Sequence, residues 1–221
     1  MAFFIFYFFF INVIIKSFLT TLKLNFQVQR SVLTIWSKNF INYICENNYN
    51  KYDKEIMEYV LRTFIFEFLK LAGNLIILSC LGYFAEALLI TISTSSVKPF
   101  IGGYHCQSQF QCFLATFIIH LFIIILSQGS TLNFPALVII IAVSFFAIYH
   151  QSPVINQYMP ITKPELIKQN RTRGFFALSI ISITTIILYF YNIYYAYILT
   201  WSILSLSVLM FNRLSWKQNI K

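Results

Sequence analysis

The chain has 221 residues, of which 58% are hydrophobic and 10% charged, and its mean hydropathy is +0.71. A soluble domain is about 45–50% apolar and about 25% charged, so a water-soluble fold is excluded and the natural unit is a membrane span of roughly 20 residues. The net charge is +9, yet no Lys, Arg, Asp or Glu stands between Lys98 and Lys163, nor from Gly174 to Asn212. Basic residues confined to short segments between long apolar runs mark a positive-inside membrane topology, not a nucleic-acid surface.

In chain order, the first apolar run is Ala2 to Ile15. It is short for a span and lacks both a basic n-region and a small-residue cleavage site. It reads as a short anchor, an interfacial segment or an unused upstream start, and no function rests on it. Residues 1–30 are taken as an N-terminal extension, ahead of a single membrane domain over residues 31–221. Val32, Ile35, Trp36, Phe40, Tyr43 and Ile44 approximate a helical stripe. That stripe fits an amphipathic helix lying on the membrane face or packed on the rest of the protein.

Val60 to Val97 predicts two helices with a turn near Gly82–Tyr83, or one tilted span with an interfacial piece. Glu67 and Lys70 stand i, i+3 and can pair on one helix face. Glu86 has no partner nearby in sequence: at membrane depth it would be a functional candidate, and at the outer interface an ordinary surface acid. Ser93 to Gln111 is rich in Ser, Gln and Gly, and is not expected to be a simple lipid-facing span. Cys112 to Leu126 and Phe134 to Tyr149 are further spans, the second opened by Pro135. His150 to Arg173 reads as a polar, basic loop. Phe175 to Tyr191 and Tyr194 to Phe211 form a final pair around a turn at Tyr191–Asn192. The fold class is an all-α polytopic integral membrane protein with about six transmembrane helices, in a range of roughly four to seven.

The basic loop around Lys163 to Arg173 and the C-terminal tail are separated by an even number of spans. Both therefore lie in the cytoplasm, and the uncharged turns at Ser127–Asn133 and Asn192 face out. By the same alternation, Gly102 to Cys112 reaches the cytoplasmic surface.

That segment carries the chemistry. It runs from Lys98 through Gly102, Gly103 and His105 to Cys112. A cysteine with a histidine is the minimum set for thiolate catalysis: the imidazole takes the thiol proton and later supplies one to the leaving amine. On one straight helix the two residues would be about 10 Å apart along the axis, too far for a hydrogen bond. A break at Gly102–Gly103, or a second subunit, is needed to join them. Of the four cysteines, Cys45, Cys80, Cys106 and Cys112, no pair has C-x-x-C spacing and no disulfide framework is expected. Cys80 reads as a small core hydrophobe. A zinc site from His105, Cys106, Cys112 and His120 lacks the usual ligand spacing, so no metal and no cofactor is expected. His120 and His150 read as span-lining or interface residues.

Gly102-Gly103-Tyr104-His105, six residues, then Cys112 resembles the accessory gene regulator B (AgrB) family of membrane endopeptidases. Ser152-Pro153-Val154 and Lys163-Pro164 resemble that family's cytoplasmic loop, and the likeness runs from about Ser31 to the C-terminus. The resemblance implies that Cys112 is the nucleophile and His105 its base. It implies cleavage of a short amphipathic (AgrD-like) precursor peptide through a thioester, which can close a lactone or thiolactone ring for quorum sensing. It further implies a homodimer in the bacterial cell membrane. Gly102, Gly103, Lys98, Gln109, Lys163 and Lys168 are secondary candidates for binding or positioning the peptide. Cys106, directly after His105, departs from the family pattern and leaves a second thiol. The alternative is a non-enzymatic membrane protein, such as a small permease or assembly subunit, in which Glu86 would serve and Cys112 would not. Transporters commonly carry internal repeats, and none is found here.

Overall fold

The computed structural model describes residues 35, 37, 39–41, 43, 51–102, 109–153 and 164–210. Among them six long helices follow in order: α1 Lys51–Cys80, α2 Phe84–Ile101, α3 Gln109–Gln128, α4 Phe134–Gln151, α5 Pro164–Tyr191 and α6 Ile193–Met210. All six are long and apolar enough to cross a membrane, and they match the six expected spans one for one. The chain divides into two compact units, Met1–Lys70 and Leu71–Lys221.

In the first unit, Ile35, Ser37, Asn39, Phe40, Ile41 and Tyr43 are helical. The buried pair is Ser37 and Ile41, whereas Ile35, Phe40 and Tyr43 are exposed. These three described members of the apolar stripe are exposed, as an interfacial helix requires. On α1 the expected Glu67–Lys70 ion pair forms.

In the second unit, local chemistry sets the turns. Gly82, at φ 86°, closes α1: its N–H donates to the Ser79 carbonyl and that of Tyr83 to the Leu78 carbonyl, both at 2.9 Å. A left-handed residue after a helix end is a glycine position. Asn133 caps α4 by accepting from the Ala136 N–H at 3.1 Å, with Pro135 in the first turn. Asn192 does the same for Tyr195 at the start of α6, at 3.4 Å.

Three expectations are corrected. First, α2 runs through the serine-rich stretch to Ile101. Ser93 and Thr94 donate to the Ile90 carbonyl at 2.9 and 2.8 Å, and Ser96 to that of Ile92 at 2.6 Å. The hydroxyls are satisfied inside the helix, so their polarity does not bar it from lipid. Second, residues 164–173 begin α5 instead of forming a loop; Pro164 suits a first helical turn and Glu165 complements its dipole. Third, Cys80 is exposed at the end of α1, not a core residue.

The hub is α6. Buried Ala196, Tyr197, Ile203, Leu206 and Met210 pack with Val97 and Ile101 of α2, Leu137 and Ile148 of α4 and Leu178 of α5. A second core joins Leu78, Ala87, Ile90, Ile123, Ile124 and Ile198. Ser and Thr residues buried along α6 bond back to its own carbonyls, as Thr200 does to Ala196 at 2.8 Å and Ser202 to Ile198 at 2.7 Å. Small residues of this kind let helices approach closely in a membrane, where apolar area gives no drive for helix pairing.

Candidate active site

The site is built from the end of α2 and the beginning of α3. Gly102 ends α2 at φ 74°, ψ −159°, and its N–H donates to the Lys98 carbonyl at 3.0 Å. This is the expected break: a non-glycine residue would be strained there. Lys98, half-buried, stands in the last turn of α2, where a cation complements the helix dipole. Gly103, His105 and Cys106 lie outside the described residues, as does Lys163.

Cys112 is on the opening turn of α3 and is half-buried. Thr116 donates to its carbonyl at 2.8 Å. Gln109 stands one turn before it, i, i+3, so the two share a helix face. The Gln109 side-chain oxygen is buried with no hydrogen-bond partner among the described residues. A buried acceptor of this kind is costly unless something donates to it. Gln111, by contrast, is exposed. Burial thus separates Gln109 from Gln111 within the same turn of α3.

Two contacts that sequence reading missed flank this region. A Cβ on Gly174 of α5 would come within 2.8 Å of the Ile101 Cγ2 and 3.3 Å of the Phe100 Cβ. A Cβ on Gly73 of α1 would come within 3.2 Å of the Phe113 ring. The available signal was a glycine inside a helical stretch, a poor helix former kept where backbones approach closely.

On α5 an open groove of about 440 Å³ is lined by Glu165, Lys168, Gln169, Thr172 and Arg173. Arg171 does not line it. Its guanidinium lies 4.6 Å from the centroid of the Tyr149 ring and donates to the Tyr149 carbonyl at 3.1 Å. It caps the end of α4 and is a structural cation.

The remaining candidates are set apart. His120 is buried at mid-α3, about 12 Å along the helix from Cys112, so the two cannot share a zinc ion. His150 is exposed, its ring 4.3 Å from that of Phe146. Glu86, in the first turn of α2, accepts from the Tyr194 hydroxyl at 3.3 Å.

Six membrane-length helices define a polytopic α-helical membrane protein, and the Gly102 break leading into the α3 cysteine defines its distinctive segment. Residues 37–211 match the family Accessory gene regulator B (AgrB). The chain is also 40% identical over 164 residues to an AgrB-like protein of Clostridium perfringens (strain 13 / Type A), covering 73% of this chain and 87% of that relative. The chain belongs to the AgrB family. No solved structure matches it.

Proposed function

We propose that this chain is a membrane-embedded cysteine endopeptidase that processes a short amphipathic precursor peptide. The observation that supports it most is a half-buried Cys112 on the opening turn of α3, reached from a Gly102-terminated α2 by a segment containing His105. In this reading His105 takes the Cys112 thiol proton as the sulfur attacks the scissile carbonyl. The proton then goes to the leaving amine, the C-terminal fragment departs, and an acyl thioester remains on Cys112. A thiol or hydroxyl of the same peptide attacks that thioester, closes a thiolactone or lactone ring and returns the Cys112 thiol. Water is the competing nucleophile, and shielding by the membrane-facing site favours the ring.

Gln109 accepts a hydrogen bond from the imidazole and orients it. Lys168 and Arg173 in the α5 groove, with Lys163 just upstream, take carboxylates of the precursor. The site and the C-terminus face the cytoplasm, by the positive-inside distribution. The enzyme works as a homodimer in lipid. Pairing of Glu86 with Tyr194 at a helix start leaves the permease reading without its one unexplained acid.

The test is cleavage of a precursor peptide encoded beside the gene. Wild type is compared with Cys112→Ala, His105→Ala and Cys106→Ala, each checked for membrane insertion. Loss in the first two and retention in the third is expected. Normal cleavage by Cys112→Ala would remove the assignment.

A further inference from the structure

The α5 groove and the stacked Arg171 face different ways. Glu165 and Arg171 are six residues apart, about 240° around the helix. Glu165 lines the groove with Lys168, whereas Arg171 turns to α4. The half-buried guanidinium lies 4.6 Å from the centroid of the Tyr149 ring and 5.9 Å from that of Phe175. A guanidinium carries five N–H donors, and capping the Tyr149 carbonyl uses one of them. No carboxylate among the described residues forms an ion pair with it.

The surface beside Arg171 is apolar and faces outward. Ile139, Val143, Phe146 and His150 are all exposed, and their spacing places them within about 60° of one another on α4. Leu137, Ile141, Ser144 and Ile148 take the opposite, buried face. From Ile139 to His150 is about 16 Å along the axis, close to one leaflet of a hydrocarbon core roughly 30 Å thick. His150 stands at the polar end of this strip, its ring 4.3 Å from that of Phe146 and 5.5 Å from that of Tyr149. The Tyr149 ring therefore has both Arg171 and His150 as neighbours, at the end of an apolar strip as long as an acyl chain.

We propose that this corner of α4 and α5 binds an anionic phospholipid. The phosphate accepts from the Arg171 guanidinium and from an imidazole N–H of His150, and an acyl chain lies along Phe146, Val143 and Ile139. A planar guanidinium with free donors matches phosphate oxygens two at a time. A lipid of net negative charge is preferred over a zwitterionic one, because Arg171 brings a positive charge that no described carboxylate balances. Free phosphate has the same acceptor oxygens but nothing to cover the strip. The proposal is independent of the cysteine chemistry.

The experiment titrates the full-length protein, in a neutral detergent, with phosphatidylglycerol or phosphatidylcholine and counts retained lipid by native mass spectrometry. Phosphatidylglycerol is expected to be retained saturably and phosphatidylcholine not. Arg171→Gln should raise the half-saturating concentration of phosphatidylglycerol about tenfold, as loss of a charge-assisted contact does. His150→Ala and Phe146→Ser should raise it by a smaller factor, and Lys168→Gln and Arg173→Gln should leave it unchanged. Equal retention of the two lipids overturns the proposal. So does a loss in Lys168→Gln as large as that in Arg171→Gln, which marks a diffuse basic surface. Displacement of the lipid by inorganic phosphate at a comparable concentration gives the site to a free phosphate instead. A lower thermal midpoint in Arg171→Gln with retention unchanged marks capping alone and also overturns it. Where Arg171→Gln does not fold, His150→Ala leaves the Tyr149 contact in place, and wild-type retention in that variant overturns the proposal.

Discussion

The indole N–H of Trp201 donates to the hydroxyl of Ser130 at 2.8 Å, and that hydroxyl donates onward to the Leu126 carbonyl at 2.6 Å. One turn earlier on α6, the Tyr197 hydroxyl donates to the Leu132 carbonyl at 2.8 Å. Two aromatic side chains of the hub helix therefore hold the whole α3–α4 connection. Trp201→Phe keeps the ring and removes the donor. It is expected to cost about 0.6 kcal/mol and no more than about 1.7 kcal/mol, the average and the maximum for hydrogen bonds between membrane helices. Thermal unfolding in detergent micelles checks it, and Ser130→Ala combined with Trp201→Phe should be less than additive because the two lose one shared bond.

Arg171 and Lys168 stand one turn apart and should fail differently. Arg171→Lys keeps the charge but loses the planar group over Tyr149, with an expected stability loss of about 1 kcal/mol. Lys168→Gln and Arg173→Gln should leave unfolding unchanged and raise KM for an acidic precursor. The increase should shrink as salt screens the exposed pairing. Steady-state cleavage at low and high ionic strength separates the two effects. An equal KM in all variants would remove the groove from peptide binding.

Gln109→Ala is expected to lower kcat by about tenfold to a hundredfold through loss of imidazole orientation. Gln111→Ala should change it little, since Gln111 is exposed. Parallel kcat measurements on the two variants decide this. A larger loss in Gln111→Ala would transfer the orienting role.

Topology has its own check. Single cysteines placed at Asn192 and at Gln151 in a chain otherwise free of Cys should react with a membrane-impermeant maleimide from opposite sides. Asn192→Cys is expected to label in intact cells and Gln151→Cys only after lysis. The reverse pattern would put the His105–Cys112 segment outside.

Glu86→Gln retains an oxygen that accepts from Tyr194 and should cost no more than about 0.5 kcal/mol, as for surface changes generally. Cleavage should be unaffected. Abolished cleavage with intact folding would mean that the carboxylate has a role beyond this contact.

Much of this was determined by sequence alone. The membrane class follows from composition, because a chain without charge over such lengths has no stable aqueous surface. Six spans, the turns at Gly82 and Asn192, the Glu67–Lys70 pair and the break at Gly102 were all readable, since each depends on local backbone chemistry or on residues a turn apart. So was the Gly-Gly-x-His-x₆-Cys resemblance that the family match bears out. Only the tertiary structure decided the rest. Serines at 93 and 96 look too polar for a span until their hydroxyls are seen bonded to the helix's own carbonyls. Arg171 is indistinguishable in sequence from Lys168, yet one is stacked on Tyr149 and the other lines an open groove. Gly73 and Gly174 are ordinary helix glycines until α3 and α2 come against them. The serine bonds are local to α2, but the other two depend on which helices become neighbours, and that is settled by packing between segments far apart in the chain, where sequence periodicity carries no information about partners.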